Sequence, residues 1–148
     1  MTVAAVLNHK GSSVISIRPH ALVSEASSII ARRRIGAVVV SDESGALCGI
    51  LTERDVVRGL TEHGGALLNL KVEALMARDV QVVTGATSVD EAMEIMNGGR
   101  FRHLPVVKAG RLCGIVSLGD LVSYGIRRTA LQSPQRHLRG PGYEFGSA

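Results

Sequence analysis

At 148 residues the chain has room for one compact domain or for two interdependent half-units. With 45% apolar residues but no Trp, two Phe and two Tyr, its core has to be aliphatic, and it offers no stacking platform for single-stranded nucleic acid. Of the net charge of +4, +3 lies in the last stretch, where Arg127, Arg128, Arg136 and Arg139 face Glu144 alone, so a nearly neutral body is followed by a basic tail.

In chain order, Val3-Ala4-Ala5-Val6-Leu7 reads as a short helical turn with apolar residues three and four apart. An extended stretch follows at Val14-Ile15-Ser16-Ile17, broken by Arg18-Pro19-His20. The next helix takes Ser24 as its N-cap, turns Ala26, Ile29 and Ile30 inward, and ends at Arg32-Arg33-Arg34. Ala37-Val38-Val39-Val40 and Leu47–Leu51 form a hairpin across Asp42-Glu43-Ser44-Gly45, and a last helix starts at Thr52. After a Gly-containing connector the order returns. It runs through a turn at Val72–Met76, Val80-Gln81-Val82-Val83 extended, and a helix capped by Ser88 with Ala92, Met93, Ile95 and Met96 inward. Leu104–Val107 and Leu112–Val116 are then paired strands, and a helix starts at Ser117. Beyond Thr129 the periodicity stops, and Ser133-Pro134-Gln135 and Arg139-Gly140-Pro141-Gly142 read as disordered.

The chain therefore says nearly the same thing twice. Leu47-Cys48-Gly49-Ile50-Leu51-Thr52-Glu53-Arg54-Asp55-Val56-Val57 returns 65 residues later as Leu112-Cys113-Gly114-Ile115-Val116-Ser117-Leu118-Gly119-Asp120-Leu121-Val122. Thr52-x-x-Asp55 and Ser117-x-x-Asp120 each place a hydroxyl at a helix N-terminus and a carboxylate one turn later. Two acceptor oxygens suit the vicinal hydroxyls of a ribose, and the helix N-terminus suits a phosphate. The same spacing also describes a capping box with no ligand. The matching cysteines read as two reduced thiols packed as small hydrophobes, with a Cys48–Cys113 bond as the alternative. No His/Cys cluster has metal-ligand spacing, and no base–nucleophile pair accompanies His103, so neither a metal nor a catalytic residue is expected.

The string Gly49-Ile50-Leu51-Thr52-Glu53-Arg54-Asp55, its echo at 114–120 and Arg102-His103-Leu104-Pro105-Val106 resemble the CBS (cystathionine β-synthase) domain, and the tandem resembles a CBS-domain pair over roughly residues 2–127. The resemblance implies an α/β fold of two β-α-β-β-α repeats, 2–60 and 72–127, packed with pseudo-twofold symmetry, their small sheets covered by helices. A connector at 61–71 joins the repeats and a basic tail spans 128–148. It implies a non-catalytic regulatory module that senses cellular energy by binding adenosine-containing ligands such as AMP, ADP, ATP, NAD or S-adenosylmethionine in clefts between the repeats. It further implies a homodimer whose output is read by an effector protein.

Carried onto this chain, the resemblance gives Asp55 and Asp120 the riboses, and Thr52 and Ser117 the adjoining oxygens. Arg54, Arg102 and His103 receive the phosphates. Ile35, Gly36, Ala37, Leu104, Pro105, Val14, Ile15, Val82, Val83 and Thr84 form the adenine slots. Each has a plainer reading: Arg54 as a solvated first-turn residue, His103 as a core-edge histidine, and the apolar residues as ordinary strand entrances. Arg32-Arg33-Arg34 is expected to complement the helix C-terminus rather than bind nucleic acid. No apolar run reaches the roughly 18 residues of a membrane span and no signal-peptide core is seen, so a soluble, cytoplasmic protein with no membrane contact is expected. The competing function is a protein-interaction module with empty clefts that docks a partner through its basic tail. A minimal nucleotide hydrolase is the other rival.

Overall fold

The computed structural model describes residues 1–132, with side chains to Thr129. The order is α1 (Val3–Lys10), β1 (Ser16–Ile17), α2 (Val23–Arg33), β2 (Ala37–Ser41), β3 (Leu47–Thr52), α3 (Glu53–His63), β4 (Val83–Thr84), α4 (Val89–Gly99), β5 (His103–Lys108), β6 (Arg111–Ser117) and α5 (Leu118–Gln132). Two three-stranded sheets result, β1-β2-β3 and β4-β5-β6, each with a parallel outer pair and an antiparallel hairpin. This is the expected α/β tandem.

The hairpins are set by local chemistry. In the first, Asp42 Oδ1 accepts from the Ser44 N–H at 2.9 Å and the Ala46 N–H at 3.0 Å, closing an Asx-type turn. In the second, Ala109 and Gly110 both have positive φ, 52° and 78°, which is the two-residue geometry matched to strand twist. Both ladders slip by one residue at the same place, Val40/Ser41 and Val106/Val107. The residue left unpaired is Cys48 in one repeat and Cys113 in the other. Each is free and half-buried on a bulge, so the cysteines are less enclosed than expected and are not bonded to each other.

The central strands are buried throughout at Val38, Val39 and Val40 and at Leu104, Pro105 and Val106, because both faces of each sheet are covered. The cover is exchanged between repeats. Val3, Val6 and Leu7 of α1 pack with Val83, Val89, Ala92, Met96, Leu104, Val106 and Val116 of the second repeat. Val72 and Met76, which open the second repeat, pack with Ala26, Ile30, Val38, Val40 and Leu51 of the first. Backbone bonds fasten the exchange, from the Val3 N–H to Thr87 O at 2.8 Å and from the Val72 N–H to Ala21 O at 2.8 Å. The half-units are therefore interdependent, as their size requires.

Close approach explains the repeated glycines. A Cβ at Gly49 would lie 2.6 Å from Ala77 O, and one at Gly114 would lie 2.8 Å from Leu7 Cδ1. The segment expected as a bare connector is structured. A 3-10 turn at Gly64–Asn69 seats Leu67 in full burial beneath α3 and α2. Ser24 does not cap α2: the cap position is Leu22, whose N–H is bonded by the Glu25 carboxylate at 3.3 Å. Helix α5 runs to Gln132, past the expected start of the tail at 128, and the remainder of that tail, 133–148, lies outside the described residues.

Candidate functional site

Two clefts open where the repeats face each other, one beside each Ser/Thr–Asp pair. The first, about 600 Å³, is formed by Thr52, Glu53, Arg54, Asp55, Val57 and Arg58 of the first repeat, with Ile50 and Gly36. Ala77, Asp79, Val80, Gln81 and the segment Arg100–His103 close it from the second repeat. The second, about 340 Å³, is formed by Ile115, Ser117, Asp120 and His103 of the second repeat. Lys10, Ser13, Ile15 and Arg34–Ala37 close it from the first.

Each pair does cap its helix. Asp55 Oδ2 accepts from the Thr52 N–H at 2.9 Å and its hydroxyl at 3.0 Å, while the Thr52 hydroxyl accepts from the Asp55 N–H at 3.2 Å. Asp120 Oδ2 accepts from the Ser117 N–H at 2.8 Å, and Ser117 Oγ accepts from the Asp120 N–H at 3.0 Å. Capping and cleft lining coexist, because the first turn that holds the carboxylate is also the cleft wall. The two acids differ in what else holds them. Asp55 Oδ1 takes Arg58 Nη2 at 2.5 Å from its own helix. Asp120 Oδ2 takes Lys10 Nζ at 2.7 Å from α1, leaving Oδ1 without a partner among the described residues. Burial opposes ionisation of Asp120, but the Lys10 ammonium and the Ser117 N–H and hydroxyl outweigh it and hold its carboxyl below the usual value.

The clefts meet at Gly36 and His103, which line both. A Cβ at Gly36 would come within 3.0 Å of His103 Nε2, so the missing side chain makes room for the ring. Burial pushes the His103 pKa down, aided by Lys10 and Arg102, against the opposite pull of Asp120 and Glu53. The imidazole is thus neutral near pH 7, able to donate from one nitrogen and accept at the other.

Of the residues expected at the site, Thr52, Arg54, Asp55, Arg102, His103 and Gly36 come together in the first cleft. Ile15, Ile35, Gly36, Ala37, His103, Ser117 and Asp120 come together in the second. Val14, Val82, Val83, Thr84, Leu104 and Pro105 line neither. Val83 and Leu104 belong to the core of the second repeat, and Pro105 is buried opposite Ile115. The reason is register. The Glu53 N–H bonds Gly36 O at 3.0 Å and the Leu118 N–H bonds Arg102 O at 2.8 Å, so the counterparts of Ile35-Gly36-Ala37 are Phe101-Arg102-His103, not Leu104-Pro105. Likewise β1 and β4 begin late, and the cleft is walled by the residues just before them, Ser13 and Ile15 on one side and Val80 and Gln81 on the other.

That alignment adds Phe101 as the partner of Ile35, and Arg100 as the partner of Arg34. Both arginines end their helices in the left-handed region, at φ 54° and 58°, where a Cβ is strained, and each lines a cleft. Arg34 thus has a place beyond the helix terminus to which it was assigned. Anchoring the repeats on Thr52 and Ser117 and reading backward was the signal that would have found Phe101 and Arg100. No such signal existed for Lys10, since it reaches its cleft only through exchange of α1. With Arg54, Arg58, Arg100 and Arg102, four guanidinium groups surround the first cleft, suited to forked bonds with phosphate. Among the described residues no three His, Cys, Asp or Glu gather as a metal site, and no helix is long and apolar enough to cross a membrane.

A family profile described as CBS domain matches residues 6–62 and again 72–127. The CBS domain-containing protein CBSX3, mitochondrial, of Arabidopsis thaliana is 33% identical, with 96% of this chain and 73% of that protein covered. The crystal structure of the CBS-domain containing protein ATU1752 from Agrobacterium tumefaciens superposes with a TM-score of 0.81 at 42% identity, covering 82% of this chain and 91% of that one. The CBS domain pair of protein MJ0100, solved in complex with 5′-methylthioadenosine and S-adenosyl-L-methionine, superposes with a TM-score of 0.76 at 25% identity, covering 84% and 99%.

Proposed function

The chain belongs to the CBS-domain family as a tandem pair, and from that premise we propose that it is a non-catalytic cytoplasmic regulatory module that binds AMP, ADP, ATP or NAD in its two clefts. The observation that carries this reading is the doubled geometry. In each cleft an ionisable carboxylate, fixed at a helix N-terminus, faces a segment of the other repeat that begins with an arginine, Arg100 in the first and Arg34 in the second. Asp55 and Asp120 receive the ribose hydroxyls, and Ile35 and Phe101 flank the base. Arg34, Arg54, Arg100 and Arg102 receive phosphate, with the neutral His103 donating at the junction. The arginines at the cleft edges favour ligands with an anionic 5′ substituent over the thioether and sulfonium ligands held by MJ0100.

Because each cleft takes walls from both repeats, occupancy changes how the repeats pack, and a ligand shifts that equilibrium only by its differential affinity for the two arrangements. Two chains associate through α3 and α5, whose equivalent residues Val57 and Val122 stand 63% and 43% exposed beside Leu60 and Ile126. An effector protein then reads the ligand state of the dimer.

Thermal denaturation with millimolar AMP, ADP, ATP and NAD, and with S-adenosylmethionine for contrast, tests this. A ligand at 100 times its dissociation constant adds about 2.7 kcal/mol and raises the midpoint by several degrees. No shift with any of them would favour an interaction module whose clefts stay empty.

A further inference from the structure

The equivalent strand carbonyls, Ile50 O and Ile115 O, are satisfied in different ways. Ile50 exchanges two backbone bonds with Ala77, the Ala77 N–H donating at 2.9 Å and the Ile50 N–H at 3.0 Å. At Ile115 that place is taken by a side chain: Lys10 Nζ donates to Ile115 O at 2.8 Å and, at the same time, to Asp120 Oδ2 at 2.7 Å. Lys10 is the last residue of α1, which is anchored in the second repeat by Val3, Val6 and Leu7, with His9 against Tyr124 of α5 at 5.7 Å between ring centroids. Its side chain is 29% exposed, whereas Arg58, the corresponding cation on Asp55, is 61% exposed.

We propose that Lys10 is a specificity-determining residue: a resident cation that competes with sugar hydroxyls for Asp120 and so restricts the second cleft to ligands that bring an anionic group of their own. This rests on the nucleotide-binding reading above. A vicinal diol engages both oxygens of a carboxylate, and in Asp120 one of the two already serves Ser117 and Lys10. A plain nucleoside has to displace the ammonium and leave it without a counter-charge in a partly enclosed cleft, a large penalty. A nucleotide offers its phosphate in exchange, so the ammonium passes from carboxylate to phosphate and stays paired. In the first cleft the departing Arg58 is 61% exposed and passes to water, while the sugar hydroxyls take its place on Asp55, whose side chain is 10% exposed. The first cleft therefore admits a nucleoside as well as a nucleotide, holding the nucleotide more tightly through its arginines, and fills first. The second accepts only the phosphorylated ligand and fills later.

Calorimetric titration of the full chain with AMP and with adenosine tests this, using Asp55→Asn to silence the first cleft and Asp120→Asn to silence the second. In the Asp55→Asn protein, AMP is expected to bind at least tenfold more tightly than adenosine. Adding Lys10→Met should narrow that ratio at least fivefold, chiefly by improving adenosine, and Lys10→Arg should preserve it. In the Asp120→Asn protein, Lys10→Met should change neither affinity by more than twofold. If both ligands bind the second cleft with a ratio indifferent to Lys10, its role is refuted while nucleotide binding stands. If neither ligand binds either cleft of the unaltered protein, the nucleotide reading fails and this inference with it.

Discussion

In the first cleft Asp55 is capped by Thr52 and clamped by Arg58 from its own helix, whereas in the second Asp120 is capped by Ser117 and clamped by Lys10 from a helix that belongs to the other repeat. The shared parts are those dictated by backbone: the cap, the hairpin, the bulge at Cys48 and Cys113, and the glycine that lets a neighbouring segment approach. The parts that differ are side chains: the cation on Asp55 comes from its own helix, and the cation on Asp120 comes from across the repeats. Duplication thus preserves the cleft while single side chains distinguish the two copies.

The largest expected effect comes from the acids. Asp55→Ala and Asp120→Ala should each remove on the order of 2–3 kcal/mol of nucleotide affinity, at their own cleft only. Each should cost folding about 1 kcal/mol from the lost cap. Calorimetry beside urea denaturation separates the two effects; unfolding midpoints that collapse with unchanged affinities would leave only the cap. Next come the glycines. Gly49→Ala drives a methyl against the Ala77 carbonyl, a backbone atom that cannot step aside, and should cost about 2 kcal/mol. Gly114→Ala meets the flexible end of Leu7 and should cost about 1 kcal/mol by the same urea assay. Equal losses would mean that the exchanged segments are held alike.

The arginines reverse the usual sign. Arg100→Gly relieves a left-handed backbone and should stabilise the fold by up to about 1 kcal/mol. The same change should weaken AMP at the first cleft roughly fivefold. Arg34→Gly should do the same at the second, and a loss of stability in either would show the residue to be structural. The smallest effect separates His103 from its counterpart Ala37, which does not titrate. The folded pKa of His103 lies below its ordinary value, so the unfolded chain binds the proton more readily. Stability should fall as pH drops through about 6.5 towards the folded value and be unaffected above it. Glu53, Asp120, Lys10 and Arg102 are the charges that face the ring. His103→Gln should flatten that part of the stability profile. Asp120 acts elsewhere: its lowered pKa contributes stability that is present above the ordinary carboxylate range and lost as pH falls through the folded value.

Much of this was legible from the sequence, for identifiable reasons. The repeat at Leu47 and Leu112 gave both hairpins and both acid-bearing helices, because glycine, hydroxyl and carboxylate at fixed spacing leave the backbone few options. The strand entrance of the second repeat is less legible, since matching the two by their apolar runs pairs Ile35 with Leu104, whereas the backbone bonds at Gly36 and Arg102 pair it with Phe101. Ser24 offers the hydroxyl that is the usual acceptor at a cap, yet the Glu25 carboxylate accepts from the Leu22 N–H from inside the first turn. Lys10 and Arg58 carry no local signature. Arg58 is one of several surface arginines, and Lys10 lies 110 residues from the carboxylate it holds. Only the exchange of leading segments between the half-units brings it there.

The most direct test is a count of bound nucleotide by equilibrium dialysis with labelled AMP, on the unaltered chain and on Asp55→Ala and Asp120→Ala. Two equivalents per chain, of unequal affinity and reduced to one by either substitution, is the result this account requires. Retention of no AMP at concentrations up to several millimolar, or a count unmoved by both substitutions, would contradict it.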